Sequence, residues 1–312
     1  MSARVYLDMD PGIDDAVAMV LATAVCDVAG VATVAGNVDG FRTFRNAHRI
    51  LRMVGREDIP VHRGSDRPLF GKLETASEIH GTEGLGLAEA PKVVVPDVAP
   101  GLGWRWLAEQ AKTTPDAWDV IATGPLTNLA RMGWGMPESL SRVGRLVVMG
   151  GSLSGGNITS SAEFNFFADP DAAEMVLGQV SGVELIGLDV TRQAYLTLAD
   201  VDRFREYGAV GQWLHELLRF YAGQILRLGF SAQTLAVHDA VAVFAWAHPE
   251  AISWEAMRLG VVREGQWRGT LLADPRATER PLAKVALGID ADAFRAWIFE
   301  SMEKVVEMGM RQ

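Results

Sequence analysis

Through its first two thirds the chain alternates short apolar runs with longer helix-like segments, and that alternation leaves few folds open. Strand-like runs cover residues 5–8, 28–36, 59–62, 118–123, 146–150 and 183–188. Helix-like segments cover 15–25, 41–54, 104–113, 126–132 and 170–177. Apolar strands separated by helices predict an α/β fold: an open, mostly parallel sheet flanked by helices on both faces. The last third reads differently. Helices around 198–207, 210–228 and 236–247 precede short strands at 258–262, 269–273 and 283–287, and a final helix covers 291–307. We read this part as a helical and short-strand C-terminal elaboration. No Pro/Ser-rich linker, internal repeat or low-complexity tract divides the chain, so a single domain over 1–312 is the simplest assignment.

Composition narrows the function classes. With 49% hydrophobic and 22% charged residues the chain has an ordinary globular balance. Its net charge of −10 and the absence of a basic stripe argue against nucleic acid as a partner. Cys26 is the only cysteine, which excludes an intrachain disulfide framework and fits a reducing compartment. It lies in an Ala/Val-rich helix and reads as a small core residue. Met1 leads almost directly into the first strand without a signal-type apolar region, and the run 16–26 is too short to cross a bilayer. A cytoplasmic protein with no membrane partner is the expectation.

Chemistry concentrates at Asp8-Met9-Asp10-Pro11-Gly12-Ile13-Asp14-Asp15, where four carboxylates fall between the first strand and the first helix. Pro-Gly makes the turn. In parallel α/β sheets the carboxyl ends of strands are where ligands bind. Asp14 and Asp15 alone would suit a first helical turn, favoured by the helix dipole. Asp8 and Asp10 do not fit that explanation, because an acid at the end of a buried strand is costly unless partnered. Crowded carboxylates repel one another, and a cation relieves the repulsion. An all-oxygen donor set suits Ca²⁺ or Mg²⁺ rather than Zn²⁺.

Four further segments carry polar residues at strand or helix ends: Gly36-Asn37, residues 122–128, residues 149–165, and Val237-His238-Asp239-Ala240. The first three begin where a strand ends, so they share one sheet edge. Thr127 and Asn128 read as capping residues of the following helix. Glu163 and Asn165 share one face of an extended segment, with Phe164 and Phe166 on the other. Asp239, in an apolar setting, needs a partner such as a metal. The irregular stretch 66–91, which holds His80, reads as a functional loop; so does 150–157, and 226–233 reads as a flap between helices.

In this order the motifs resemble the nucleoside hydrolase family, the inosine-uridine-preferring group. The D-x-D-x-G-x-D-D opening is met by Asp8, Asp10, Gly12, Asp14 and Asp15. The G-N step falls at Gly36-Asn37, I-H-G-x-x-G-x-G at 79–86, and T-G-x-L-T-N at 123–128. V-x-M-G-G falls at 147–151, G-N-x-T at 156–159, A-E-F-N at 162–165 and V-H-D-A at 237–240. The last seventy or so residues add no match. The resemblance implies an open parallel α/β fold, a bound Ca²⁺, and hydrolysis of the N-glycosidic bond of ribonucleosides to free base and ribose with a calcium-bound water, a step of purine and pyrimidine salvage. Its calcium ligands would be Asp10, Asp15, the Thr123 carbonyl and Asp239. Asp14, Asn37, Asn157, Glu163 and Asn165 would hold the ribose, beside the backbone of Met149, and Asp8 would stand behind the ligands. His238 would activate the leaving base, with His80 near it. A homodimer or homotetramer is also expected.

One departure concerns the segment before V-H-D-A, where some family members carry a tyrosine that helps protonate the base. Here residues 221–230 contain only Tyr221, placed early.

The implied chemistry is coherent. Glycoside cleavage passes through an oxocarbenium-like transition state with a nucleophile on one face and leaving-group assistance on the other. Asp10, kept ionised by the cation, would take the proton of the attacking water. His238 would protonate the base, since a histidine ordinarily titrates near neutrality. Two alternatives stand beside this reading. A haloacid-dehalogenase-type phosphatase also opens with D-x-D after its first strand, but it needs a lysine at a strand end, and Lys72, Lys92 and Lys112 fall in loops or a helix. A non-catalytic, calcium-dependent nucleoside binder would not need Asp10 together with His238.

Overall fold

The computed structural model describes residues 4–113, 118–229 and 233–310. Nine strands form one sheet. They are β1 (Arg4–Met9), β2 (Asp27–Thr33), β3 (Val61–Arg63), β4 (Trp118–Ala122), β5 (Val143–Met149), β6 (Glu184–Ile186), β9 (Ile252–Val261), β10 (Leu271–Ala273) and β11 (Leu282–Ile289), and the two short strands between, β7 (Tyr195–Thr197) and β8 (Thr234–Ala236), pair separately. The order across the large sheet is β10-β9-β11-β6-β5-β4-β1-β2-β3. Strands β1 to β6 and β11 pair in parallel, and β9 runs against its neighbours. The expected open, mostly parallel sheet is therefore present. The C-terminal strands extend it directly, because β11 docks on β6.

The pleat of β1 shows how the core divides. Val5, Leu7 and Met9 point into one buried cluster and Tyr6 into the other, on opposite faces of the sheet. The helix Ile13–Val25, apolar nearly all round, is buried on the first face between the helices His238–Ala247 and Ala291–Gly309. The second face is covered by the helices Leu102–Thr113, Thr127–Gly135 and Pro170–Gln179. From β1 the chain builds outward through β2 and β3, then crosses back to place β4 on the other side of β1. That reversal opens a crevice above β1 and β4, where α/β sheets take ligands.

Several boundaries differ from the sequence expectation, each for a local reason. β2 stops at Thr33: the Val34 N–H makes the last bond to β1, at the Met9 carbonyl (2.9 Å), and the Ala35 N–H turns to the Ser65 carbonyl (2.8 Å), past the end of β3. β6 ends at Ile186 because Gly187 begins the one-turn helix Leu188–Thr191. The helix expected from 236 starts at His238, after the unanticipated β8. β7 and β8 hold three residues each, too few to show a period. β9 is ten residues long and begins six residues before the expected start at 258; its mixed burial hides the alternation. The helix expected over 198–207 ends at Arg203 and continues as a tighter turn, Phe204–Glu206. Cys26 caps the helix end and is buried, as its composition suggested. Within 226–233, residues 230–232 lie outside the described residues, and the helix Gly208–Arg227 runs into its start.

Candidate active site

The site grows from the end of β1. Asp8 is its last-but-one residue and points to the second face, where Asn128 donates to its Oδ1 at 2.7 Å. Asn128 also donates to the Thr33 carbonyl (3.0 Å) and accepts from the Ser65 N–H (2.9 Å), so one amide joins β1, β2 and the strand-end loop after β3. Thr127 donates to Asp169 at 2.6 Å. The capping role expected for Thr127 and Asn128 is thus wrong: the helix they open has no side-chain cap, and both side chains make contacts far along the chain. Burial raises the Asp8 carboxyl to about 7, the Asn128 bond opposing.

Asp10 follows the strand and is fully enclosed. Its Oδ2 accepts the Asn37 N–H at 2.7 Å, while Oδ1 is buried with no hydrogen-bond partner among the described residues. Two glycines make room for it. A Cβ on Gly36 would stand 2.0 Å from Asp10 Oδ2, and one on Gly124 would stand 2.8 Å from Oδ1. Any larger residue at either place would displace the carboxylate.

Asp14 and Asp15 open the helix Ile13–Val25, and Asp239 lies in the first turn of the helix His238–Ala247. These helices pack together with both N-termini at the carboxyl edge of the sheet, which brings residues more than two hundred apart in sequence into contact. One oxygen from each of Asp14, Asp15 and Asp239 lies within 4.8 Å of the other two. Asp15 is further held by the Gly12 N–H (3.0 Å), the Asn37 amide (2.8 Å) and the Thr123 hydroxyl (2.8 Å). Like charges about 5 Å apart repel by about 3 kcal/mol at an effective dielectric near 20. A helix N-terminus returns only about 0.3–1 kcal/mol per carboxylate. Burial pushes Asp10, Asp14, Asp15 and Asp239 all upward, Asp14 to about 7, and repulsion from neighbouring carboxylates adds to it at Asp10, Asp14 and Asp239. The protein alone raises Asp10, so the expectation that it stays ionised depends on the positive charge a bound cation would bring to this cluster. Hard oxygen donors, a buried Oδ1 without a partner and, among the described residues, no Lys or Arg paired with the cluster fit a metal cation.

Around these acids lies a cavity of about 680 Å³, lined by Asp14, Asn37, His80, Thr123, Met149, Asn157, Glu163, Asn165, Tyr221, His238 and Asp239 among others. The Asn165 amide donates to the Thr123 carbonyl (2.7 Å) and the Met149 carbonyl (3.2 Å). Glu163 accepts from the N–H groups of Gly151 (2.9 Å), Phe166 (3.1 Å) and Asn165 (2.9 Å), and burial raises it to about 7. The segment is not extended as expected: Glu163 caps the short helix Phe164–Ala168, so the pairing of 163 with 165 on one strand face does not hold. Asn157 accepts from the Phe164 N–H (2.9 Å), which ties the exposed loop to that cap.

The two histidines share a pattern. His80 Nδ1 accepts the Ile13 N–H at 3.0 Å, so its proton sits on Nε2. Its 3.9 Å approach to Asp14 is no ion pair, because burial and His238 hold the ring neutral, down to about 3. His238 is also held neutral, lowered to about 4 by burial and by Arg192, instead of titrating near neutrality as expected. Tyr221, despite its early place in the sequence, stands in the cavity wall stacked on His80 (centroids 5.9 Å apart, 24° between planes). Burial and the charges of Asp14 and Asp239 raise its hydroxyl far above the usual range.

The family model for the inosine-uridine preferring nucleoside hydrolases matches residues 5–296. This chain belongs to that family. A non-specific ribonucleoside hydrolase from Salmonella paratyphi B is 35% identical over 96% of this chain and 97% of its own length. A pyrimidine-specific ribonucleoside hydrolase from Klebsiella pneumoniae is 36% identical over 94% and 96%. Among solved structures, a plant nucleoside hydrolase superposes with a TM-score of 0.90 at 28% identity, covering 97% of this chain and 99% of that one. A purine-preferring ribonucleoside hydrolase from Gardnerella vaginalis gives 0.90 at 26%, covering 99% and 100%.

Membership in the nucleoside hydrolases fixes the reaction class, hydrolysis of ribonucleosides to base and ribose, and sets the phosphatase and pure-binder alternatives aside. The family match extends across the C-terminal stretch where no motif was recognised. All the site residues named from sequence line the cavity or adjoin its acids. Three polar residues escaped notice: Asn46, buried on the apolar face of the helix Gly40–Met53 and bonded to the carbonyls of Pro11 (3.1 Å) and Glu83 (2.8 Å); Thr191; and Arg192. A buried asparagine among Phe44, Ala47 and Ile50 was a readable signal for the first. No helix among the described residues is long and apolar enough to cross a membrane.

Proposed function

We propose that this nucleoside hydrolase uses calcium, with Asp10, Asp15, the Thr123 carbonyl and Asp239 as ligands. The observation that carries this is the buried Oδ1 of Asp10, without a partner among the described residues, beside three carboxylates that gather within 4.8 Å of one another. When bound, calcium supplies the positive charge that keeps these acids ionised and draws hydroxyl oxygens to them. Asp14, Asn37, Asn157, Glu163 and Asn165, with the Met149 backbone, hold the ribose. The acid-rich floor favours the positive charge that develops on the sugar as the bond to the base breaks. Asp10 takes the proton of the attacking water, its Oδ2 being fixed by Asn37 and its Oδ1 free to accept. His238 assists the departing base, and His80 and Tyr221 shape the same wall. No covalent enzyme intermediate is needed.

The same reading treats the chain as one domain, because its central sheet takes strands from both ends of the sequence. It also places the enzyme in the cytoplasm, in nucleoside salvage, as a homodimer or homotetramer; the lone buried Cys26 is what a reducing compartment tolerates. The test is direct. Protein supplied with Ca²⁺ should release reducing sugar from at least one of inosine, uridine, cytidine and adenosine. Flat traces on all four would overturn the assignment.

A further inference from the structure

The turn after β6 carries polar side chains that the scheme above leaves unused, and two of them, Thr191 and Arg192, contact the site or the loop beside it. Thr191, fully buried, places its Oγ1 2.7 Å from His238 Nδ1. Asp189 accepts the Leu153 N–H at 2.8 Å. Arg192 donates to the carbonyls of Gly155 (3.2 Å) and Gly156 (2.6 Å), immediately before Asn157. One short segment thus touches both the loop that bears a ribose ligand and the histidine that faces the base.

The hydrogen-bond count gives the Thr191 contact a direction. Among the described residues Oγ1 has no other partner, and a buried hydroxyl is favoured when its hydrogen meets an acceptor. Nδ1 is the acceptor within reach, so the hydroxyl donates and Nδ1 carries no proton. The proton of the imidazole then sits on Nε2, the ring nitrogen without a partner among the described residues, and the ring lines the cavity. His80 supports the same arrangement independently. Its Nδ1 is closed by the Ile13 N–H, a group that can only donate, and its ring lines the same cavity. Two histidines on different elements are each closed at Nδ1.

We propose that Thr191 is a positioning residue: its hydroxyl fixes His238 as the Nε2–H tautomer, so that the ring presents a donor to the leaving base. This rests on the reading of His238 as the residue that assists base departure. A ring free to adopt the other tautomer would turn an acceptor toward the base and lose that interaction.

The experiment compares Thr191→Val, Thr191→Ser and His238→Ala on a natural nucleoside and on a nitrophenyl riboside, whose leaving group needs no proton. Partners that fix a histidine tautomer in metal sites are worth about 10–100-fold, and Thr191→Val should lose a similar factor in kcat on the nucleoside, with KM little changed. The activated substrate should be nearly unaffected, and Thr191→Ser should restore the nucleoside rate. Thr191→Val that slows both substrates alike, or neither, beside a selective His238→Ala overturns the inference alone. A non-selective His238→Ala overturns the assignment of His238 and the inference with it. Nitrogen-15 spectra of the unaltered enzyme give a readout that needs no folded Thr191 variant, with His238→Gln to assign the signal. A His238 ring protonated at Nε2 supports the inference, and one protonated at Nδ1 overturns it.

Discussion

Asn37 grips Asp10 from two sides: its backbone N–H lies 2.7 Å from Asp10 Oδ2, and its side-chain amide donates to the Asp10 carbonyl at 3.1 Å. The same amide reaches Asp15 at 2.8 Å. One residue from the end of β2 therefore orients two acids from the β1 loop and leaves Asp10 Oδ1 as the atom free for chemistry.

Asp10→Asn follows from this geometry. The amide oxygen can keep the bond to the Asn37 N–H, while an NH₂ replaces the free oxygen. Turnover should fall by at least about 10²–10⁴-fold, the usual worth of a proton acceptor. Stability without metal should not fall, because burial and Asp15 already hold the metal-free carboxyl against ionisation and a neutral amide escapes that penalty altogether. Steady-state kinetics and a melting curve in chelator check both halves. A kcat near that of the unaltered enzyme would move the proton acceptor elsewhere.

His238→Ala should separate substrates by leaving group. On nucleosides with poor leaving groups the loss should be about 10²–10⁴-fold, and on a nitrophenyl riboside it should be small. Burial and Arg192 hold the ring neutral well below neutrality, so its assistance at pH 7 comes from a neutral N–H. Equal losses on the two substrates would make His238 a structural residue.

Asn128 is the place to test the packing behind the site. Asn128→Ala strands the Asp8 carboxylate, the Thr33 carbonyl and the Ser65 N–H together, all buried. Unsatisfied buried groups cost about 1–3 kcal/mol each, partly relieved by water, so a loss of about 2–4 kcal/mol is expected. Denaturant unfolding measures it. A change under about 0.5 kcal/mol would mean that the amide is dispensable.

What was legible in the sequence divides by range. The opening acids could be placed because strand, turn and helix are contiguous there, and the apolar runs around them are unambiguous. The sheet was legible for the same reason, since its central strands β1, β2, β4 and β5 are rich in Val, Leu, Ile and Ala. Asp239 could be tied to Asp15 only through the family resemblance, because their meeting depends on two helices packing with N-termini side by side. Asn128 was misread for a related reason: a polar residue at a helix start looks like a cap, and nothing local shows that it reaches Asp8, 120 positions away. Thr191 sits in a four-residue helix that no periodicity reveals. The protonation of His238 was misjudged because burial and the neighbour Arg192 are products of the fold.

Calcium removal should show whether the acid cluster is held by the cation. Asp14, Asp15 and Asp239 close to within 4.8 Å, and burial raises all three above ordinary carboxylates. A raised carboxylate binds protons in the folded, metal-free state that a cation must displace, so calcium affinity should weaken as the pH falls through about 7, where Asp14 becomes protonated. Above that range the ionised acids repel, and the metal-free fold should be at its least stable relative to the loaded one. A ligand present at about 100 times its dissociation constant adds about 2.7 kcal/mol to the folded state. The melting temperature should therefore drop on chelation and recover with Ca²⁺. Recovery with Mg²⁺ should be smaller, since its strict octahedral shell suits the donors here less well. Calorimetric titration with Ca²⁺ in buffers of different ionisation enthalpy should register proton release near neutral pH. A melting curve unmoved by chelation, with elemental analysis confirming the loss of metal, would leave the four acids held by the protein alone and remove calcium from the structural role.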